Sequence, residues 1–576
     1  MKTGLIWIVW LGIWMFTAGC ACESREHESP ARKGFRCPVE GTSTDAASMV
    51  DQARPGGGTE SSATAHCVAT GAECFPEFSR WMRVTDPDPA VSCGVWHEFS
   101  SELGLPQVAV GRSRVSLLPR PGTAGAEGIR ALDVSSMTLD EIKDRVARLS
   151  SAREITVTAA DEDQVRELAP LGGRLVALVV QMDLQRPAVL SAFPGLRALA
   201  IRVGRPFSGD PVRLGALERL ELEMPPGART TLVGAMRDLG VSPAHLRELK
   251  VQGELGGDFV RWLGGFAQLE LLHLDWLALF EPVDLRPLGD LCRLQDLSLR
   301  GGEGLFEATW ALTARLPGLR ALSVVSATGE PVNAGDLPQG LAALRLEGKM
   351  SQEDLEAISR LSTLTTLALA GKGAGGVILD LEPLRRLRIS RLDLIGDYQP
   401  GKPITSVRHL RWIAMARTRA MDLSSWTELT GLDLTLTDAW ALKLPTARNL
   451  LQLRLQDVGQ RPVPVTARAL SEALSGEATG ITLLTDGLDQ LPAAWPVRLE
   501  TLRLSGTRID DRLWTTLAGT PRLTRLLLAR AAVTRRSFNA FLKTGRAPLA
   551  VVQLFDTGVA PRRSLTWRGK GIAPIE

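Results

Sequence analysis

The chain of 576 residues has almost no net charge, because 67 lysines and arginines stand against 64 aspartates and glutamates, for a formal charge of +3. A domain that binds nucleic acid usually carries a clear basic excess on the surface that makes the contact. The balance of charges therefore argues against nucleic acid, or another polyanion, as the partner of this protein.

The sequence also lacks the short motifs that are typical of common active sites. None of its six histidines stands in an HExxH pair, and the chain contains no GxSxG nucleophile elbow. Gly371 to Gly376 reads GKGAGG, but its spacing is not that of a phosphate-binding loop. We therefore expect a protein that is not an enzyme and that uses no cofactor and no small-molecule substrate.

Cysteine is scarce in most of the chain, since only one of the seven, Cys292, lies beyond residue 100. We expect Cys292, which precedes Leu294, to be a buried apolar thiol. In an exported protein, the cluster that includes Cys67, Cys74 and Cys93 is typical of disulfides, although their pairing cannot be read from the sequence. Two alternatives stay open for this region: a zinc site, which the wide Cys67 to Cys74 spacing disfavours, and a free catalytic thiol.

Residues 1–19 have the layout of an export signal. Lys2 precedes an apolar run from Leu5 to Phe16, which is shorter than the about 20 residues of a membrane span. Small residues then precede Cys20, and this arrangement resembles a bacterial lipobox, which implies that Cys20 becomes the lipidated first residue of the mature protein. Thr17 departs from that pattern, because lipoproteins usually have leucine there. Plain secretion and an uncleaved membrane anchor are the alternatives.

A polar segment, residues 20–66, follows the lipobox and is rich in glycine, serine, threonine, alanine and proline. Residues 53–65 read ARPGGGTESSATA and offer almost no apolar surface to bury, so such a segment stays flexible. We predict a short disordered tether between a membrane and the folded part of the chain.

Most of the remaining chain repeats one spacing, Leu-x-x-Leu-x-Leu, and Leu499 to Leu504 (LETLRL) is a clear copy. The middle apolar residues run from Leu132 through Ile155 and Leu178 to Val552 in 19 copies, so that 18 intervals cover 420 residues, about 23 residues each. The last two leucines of a copy are two residues apart and lie on one face of a strand. One such strand cannot bury its apolar face alone, so the spacing predicts a solenoid of stacked parallel strands over residues 126–560.

Helices are predicted between some of the copies. Thr138 to Leu149 looks helical, and Ser351 followed by Asp354 three residues later is typical of the start of a second helix that reaches Leu361. The ends of the array need cover, because an apolar end face would otherwise meet water. We predict that residues 67–125, with their cysteines, cap the first repeat and that the tail, residues 561–576, covers the last.

The repeats resemble the leucine-rich repeat family over about three-quarters of the chain. The resemblance implies a curved α/β solenoid whose parallel strands line a concave face that binds other proteins. With the lipobox, the chain is similar to leucine-rich repeat lipoproteins of bacterial surfaces. The family continues its pattern to Leu-x-x-Leu-x-Leu-x-x-Asn, but here residues such as Asp183, Gly204 and Thr507 hold the last position. The turns must therefore satisfy their backbone groups in another way.

The residues between the inward leucines would form the concave face, with neighbouring strands about 4.8 Å apart. The predicted partner-binding residues are Glu221, Glu248, Lys250, His273, Asp275, Trp276 and Arg300, and a second, basic patch consists of Arg454, Arg503 and Arg525. An aromatic residue beside opposed charges is typical of interface hot spots. The alternative is a solvated sheet with cross-strand ion pairs, such as Asp275 with Arg300, that each contribute roughly 0–1 kcal/mol.

These patterns favour one function. We expect a non-catalytic lipoprotein of the cell envelope, held at a bacterial membrane through Cys20, that binds a protein or glycan partner on its concave face. A secreted form without the anchor is an alternative location. A structural envelope component, which would associate with itself, is an alternative role.

Overall fold

The computed structural model describes residues 129–568 with short gaps. The gaps are residues 136, 150–153, 226–230, 254, 276–283, 372–377, 415–419, 437–440, 458–463, 475, 507, 545–548, 556, 558 and 560–563. The predicted export signal, tether and cysteine-containing cap precede residue 129 and lie outside the described residues.

One sheet of 20 strands organises the described part of the chain, and two further sheets have two strands each. The strands are β1 (Ile129–Asp133), β2 (Glu154–Ala159), β3 (Leu175–Asp183), β4 (Ala198–Arg202), β5 (Arg219–Glu223), β6 (Glu248–Gln252), β7 (Leu271–Asp275), β8 (Asp296–Gly301), β9 (Ala321–Ser326), β10 (Ala343–Glu347), β11 (Thr366–Ala370), β12 (Leu379–Asp380), β13 (Arg391–Ile395), β14 (Tyr398–Gln399), β15 (His409–Ala414), β16 (Ala420–Asp422), β17 (Gly431–Leu436), β18 (Ala441–Lys443), β19 (Gln452–Asp457), β20 (Gly480–Leu484), β21 (Thr501–Ser505), β22 (Arg525–Ala529), β23 (Val551–Phe555) and β24 (Ser564–Arg568). The small sheets pair β12 with β14 and β16 with β18. Every other strand joins the large sheet, which is the parallel-strand solenoid of a leucine-rich repeat fold.

The pairing of strands confirms the repeat spacing read from the sequence. From Leu178 onward, every predicted middle residue lies opposite its predicted counterpart in the next parallel strand, ending with Leu526 opposite Val552. The inward residues form one hydrophobic core that runs through the described part of the array. Each strand thus buries its apolar face against its own repeat and the neighbouring ones, as expected for a solenoid.

One predicted register is wrong. Val157, rather than Ile155, lies opposite both Leu132 and Leu178, so the second copy is shifted by two residues. Both Ile155 and Val157 are buried, because side chains two residues apart point to the same face of a strand. A shift of two residues therefore keeps the apolar face inward, and the spacing alone could not choose between the two registers. The residue of this copy that aligns with Asp133 and Val179 is therefore Thr158, and not Thr156 as predicted.

Helices return the chain from one strand to the next in many of the repeats. They are α1 (Leu139–Arg148), α2 (Glu162–Glu167), α3 (Leu232–Asp238), α4 (Gly257–Leu263), α5 (Leu305–Thr313), α6 (Gln352–Ile358), α7 (Ala467–Ala473), α8 (Arg512–Leu517) and α9 (Arg535–Thr544). Short 3-10 helices serve the same purpose at Ala169–Arg174, Pro187–Ala192, Arg286–Asp290, Ala334–Asp336 and Glu382–Arg386. In the part of the chain that the structure describes, no helix has the length and apolar character needed to cross a membrane.

Both helices predicted from the sequence are present, although the second ends at Ile358 and not at Leu361. Their first turns show why they start where they do. Thr138 and Glu141 form a reciprocal capping box at α1, and Ser351 and Asp354 form one at α6. Each box satisfies backbone N–H groups that the first turn of a helix leaves without a partner. Asp354 also accepts a hydrogen bond from the N–H of Ala334 at 2.7 Å, which ties the start of α6 to the preceding repeat.

The shortest repeat, the 18 residues from Leu392 to Leu410, keeps its place in the sheet without a helix. It uses β14 instead. Tyr398 and Trp412 are almost completely buried there, with ring centroids 6.3 Å apart in an edge-on arrangement. The indole N–H of Trp412 donates to the carbonyl oxygen of Gly396 at 3.3 Å. Two large rings thus fill the space that helix side chains fill in longer repeats.

Backbone hydrogen bonds join successive repeats where the chain leaves the strands. The N–H of Gly371 donates to the carbonyl oxygen of Ile395 at 2.9 Å, and the N–H of Gly396 donates to that of Ile413 at 2.9 Å. The backbone N–H group of the residue that follows one strand therefore donates a hydrogen bond to a carbonyl oxygen at the end of the next strand. This arrangement meets the requirement that buried backbone groups be paired.

These turns bring glycine backbones very close together. A Cβ atom on Gly371 would collide with the carbonyl oxygen of Gly348, and one on Gly396 would collide with that of Gly371. The φ angles of Gly371 and Gly396 are 149° and 139°, a region that side chains disfavour. We define Gly348, Gly371 and Gly396 as the glycine column.

The C-terminal end of the sheet is closed by a strand of opposite direction. β24 pairs antiparallel with β23, with Val552 opposite Trp567, whereas all the other pairings in the large sheet are parallel.

The prediction for Cys292 is wrong. Its side chain is exposed rather than buried.

The glycine column yields a test of the turn geometry. We expect Gly396→Ala to lower the free energy of unfolding by about 1–3 kcal/mol, because alanine would be strained at this φ angle and would press on Gly371. Chemical unfolding followed by circular dichroism measures the change. Gly519→Ala is the matched control, since a Cβ atom there meets no atom within 4 Å. If the two variants had equal free energies of unfolding, the claim that the glycine column leaves no room for a side chain would be wrong.

Candidate binding face

Outward side chains of the parallel strands form three rows on one face of the sheet. In β5, Leu220 and Leu222 are buried in the core, while Arg219, Glu221 and Glu223 alternate with them and lie on the other face. The equivalent outward positions in β4–β11, β13, β15, β17 and β19–β23 define the concave face. The row that contains Glu221 is its middle row.

Six of the seven residues predicted to bind a partner lie together on this face. They are Glu221 in β5, Glu248 and Lys250 in β6, His273 and Asp275 in β7, and Arg300 in β8. The pairing places the members of a row side by side, with Glu221 opposite Lys250 and Lys250 opposite His273. Trp276, the seventh, lies outside the described residues.

Ion pairs connect these side chains across neighbouring strands. The ammonium nitrogen of Lys250 lies 3.3 Å from a carboxylate oxygen of Glu221. In the same way, Arg219 lies 3.5 Å from Glu248, and Arg300 lies 3.9 Å from Asp275, which is the pair expected from the sequence. Pairs between exposed charges contribute roughly 0–1 kcal/mol each, so they orient the side chains more than they stabilise the fold.

His273 is neutral at the centre of this group. Burial lowers the pKa of His273 well below its usual range, and the nearby cations Lys250, Arg345 and Arg300 lower it further. A neutral imidazole could serve as a metal ligand. Across the described ranges, however, no group of three or more histidine, cysteine, aspartate or glutamate side chains is arranged to hold a metal ion.

Opposite charges alternate along the middle row in the C-terminal half of the face. Asp393, Arg411, Asp433 and Arg454 lie directly opposite one another in β13, β15, β17 and β19. Arg454 lies 3.8 Å from Asp433, and Arg391 in the first row lies 3.2 Å from Asp393. We call these five residues the charge ladder. The alternating charges can be read from the sequence at the middle-row positions. They indicate contacts between the side chains, however, only once the register of the neighbouring strands is known.

The charges of the ladder are largely removed from water. Asp393, Arg411 and Asp433 are each at most 5% exposed. Burial raises the pKa of Asp433, although Arg454 and Arg411 oppose this change by favouring the carboxylate. Burial also lowers the pKa of Arg411, and Asp433 and Asp393 oppose that change. Each ion is therefore stabilised by the neighbour of opposite sign, and removing one would leave the next uncompensated.

The predicted basic patch lies at the C-terminal end of the same face. Arg454 belongs to the charge ladder, whereas Arg503 and Arg525 follow in β21 and β22. Thr501 in the first row lies opposite Arg525, and Arg503 lies opposite Leu527. Exposed Phe555 in β23 continues the third row beyond these arginines. The sequence analysis singled out the arginines but not exposed Phe555.

A cleft with a volume of about 600 Å³ lies near the C-terminal end of β3. Charged side chains of both signs line it, and they pair with one another: Arg202 lies 3.3 Å from Asp183, and Arg186 lies 2.6 Å from Glu162. The charges of this cleft are therefore used within the fold, and we assign it no ligand.

His409 makes the stability of this region sensitive to acid. Its ring covers Gly431 in the next strand, and burial, aided by Arg391 and opposed by Asp393, lowers its pKa to about 4. The unfolded chain takes up this proton near pH 6.5, but the folded chain does so only near pH 4. This contribution to stability is therefore present above pH 6.5 and is lost as the pH falls from about 6.5 to about 4.

We expect His409→Gln to reduce the loss of stability between pH 6.5 and pH 4 by up to about 3 kcal/mol, because glutamine cannot be protonated there. Urea unfolding at a series of pH values gives the two curves. His245→Gln, at an exposed position, is the control and should reproduce the wild-type curve. Parallel curves for wild type and His409→Gln would refute this explanation.

Comparisons with known proteins add little to this geometry. No protein-family model matches the chain, and a search of curated proteins finds no match. Among solved structures, an internalin from Listeria monocytogenes aligns with 69% of this chain and 89% of its own, at 14% identity and a TM-score of 0.26. This likeness is too weak to transfer a function, and the leucine-rich repeat fold is established here by the register of the strands.

Proposed function

We propose that the protein is a non-catalytic lipoprotein of the cell envelope that binds a protein partner through its concave face. The observation that carries this proposal is the face itself: three rows of outward side chains that continue, in register, from β4 to β23. A surface of this kind needs no active site to be useful. A protein or a glycan could contact it, and its mixed charges favour a protein.

The size of the face supports binding of a macromolecule. From β4 to β23 there are 15 steps between neighbouring strands, which at about 4.8 Å each give a length of roughly 70 Å. Five residues along a strand give a width of about 16 Å. The resulting area of roughly 1,100 Å² exceeds the about 800 Å² that each partner buries in a standard protein complex.

The anchor rests on the sequence alone. Cys20 would carry the lipid, and residues 20–66 would form the tether. A flexible chain of 47 residues has an end-to-end distance of roughly 35–40 Å. Such a tether would let the array move away from a membrane surface and present its concave face to partners. The location we propose is therefore the cell envelope, with the protein lipid-anchored to a bacterial membrane.

A steric block tests whether the concave face binds. We expect Ser323→Trp, in the middle row of β9, to weaken capture of partners from envelope extracts at least about tenfold, since a bulky ring would hold a partner away from the strands. Quantitative affinity capture with the purified full chain measures this. Ala314→Trp, at an exposed position after α5 in the same repeat, is the control and should leave capture unchanged. If both variants capture as well as wild type, the concave face is not the binding surface.

The lipid anchor has its own test. We expect Cys20→Ser to abolish incorporation of labelled palmitate and to release the protein from membranes, because serine cannot form the thioether. Cys22→Ser is the control, since the lipobox points to Cys20, and it should keep both the label and the membrane location. Labelling that persists in Cys20→Ser would place the lipid elsewhere.

A further inference from the structure

We propose that the partner is an extended polypeptide with divided charge, which lays a basic segment over β5–β8 and an acidic segment over β13–β22. This inference rests on the proposed function, because it takes the concave face as the binding surface. It adds the chemical class of the partner and its direction along the array.

The outward residues of β5–β8 form an acidic zone. It contains the carboxylates Glu221, Glu223, Glu248, Asp275 and Asp296 and the cations Arg219, Lys250 and Arg300. Five negative and three positive charges give this zone a net charge of −2. Each of the three cations lies within 3.9 Å of a carboxylate of the same zone. The positive charges are thus offset locally. Glu223 also lies 3.8 Å from Arg202 in the neighbouring strand β4, and the zone keeps an excess of negative charge that attracts a basic segment.

The outward residues of β13, β15, β17 and β19–β22 form a basic zone. It contains the cations Arg391, Arg411, Arg454, Arg503 and Arg525 and the carboxylates Asp393 and Asp433. Five positive and two negative charges give a net charge of +3. The two carboxylates are members of the charge ladder and lie beside arginines. The excess of positive charge extends to Arg503, which is exposed.

Small side chains separate the two zones. The outward positions of β9–β11 hold mainly alanine, serine, threonine and valine, and their two charged residues, Arg345 and Glu347, pair at 3.3 Å. This neutral band spans four strand steps between β8 and β13, or about 19 Å. Short side chains such as Ala368 and Ser323 allow another backbone to approach the sheet closely.

This division of charge selects among partners. A uniformly acidic polymer would be repelled by the acidic zone, and a uniformly basic one would be repelled by the basic zone, because like charges placed together across an interface are costly. A polypeptide with one basic and one acidic segment matches both. If its chain is extended, the neutral band corresponds to a spacer of about six residues at 3.3 Å each.

The experiment uses the full chain and two synthetic peptides of identical composition. The divided peptide has a lysine-rich block and a glutamate-rich block joined by about six glycine and serine residues. The alternating peptide distributes the same lysines and glutamates evenly. We expect the divided peptide to bind at least about tenfold more tightly at low salt, measured by fluorescence anisotropy, with a preference that shrinks as salt is added.

Charge reversals in each zone test the direction of binding. We expect both Glu223→Lys and Arg503→Glu to weaken binding of the divided peptide about tenfold, since each places like charges together. Asp140→Lys on α1 and Arg468→Glu on α7 are controls that make the same changes in net charge at side chains that are 97% and 88% exposed. Glu223→Gln, with a smaller expected loss, replaces Glu223→Lys if the reversal prevents folding.

Three results would overturn the inference: equal binding of the two peptides, tighter binding of a glutamate-only peptide or of heparin, or equal effects of the zone variants and their controls. The Ser323→Trp capture experiment separates this failure from failure of the proposed function. If capture depends on the concave face while the peptides bind equally, the face binds a partner of another class. If capture does not depend on that face, the proposed function itself is wrong.

Discussion

The structure depends on one constraint: a strand of about five residues with two inward leucines cannot remove its apolar surface from water alone. Leu297 and Leu299 in β8, for example, are fully buried in a core that is shared with the neighbouring repeats. The same constraint sets the register, since a shift of one residue would turn the leucines outward. The rows of the concave face are aligned because the core beneath them is aligned.

This dependence explains how much of the fold could be predicted from the sequence. The parallel strands could be predicted from the leucine spacing, because side chains two residues apart in a strand point to the same face. Ile155 was placed wrongly because Val157 is apolar and on the same face, so both registers bury the strand equally well. Cys292 was placed wrongly because its neighbour Leu294 points into the core, while Cys292 itself lies on a turn that is exposed.

The candidate face was predicted less completely than the fold. Glu221, Lys250 and His273 are adjacent as expected, since the register fixes their positions. The charge ladder was missed because an alternation of Asp393, Arg411 and Asp433 at intervals of about 20 residues looks like ordinary variation in the sequence. Its meaning depends on contacts between strands. The pairing that aligns these charges also brings them close enough to stabilise one another.

The antiparallel closing strand bears on how such an array could lengthen during evolution. Repeat arrays grow when a stretch of DNA that encodes one unit is duplicated. A new unit inserted between two existing ones meets a parallel neighbour on each side and can adopt the common pairing. A unit added after β23 would have to displace β24, whose reversed direction offers no parallel edge. New units are therefore expected to be inserted inside the parallel array rather than between β23 and β24.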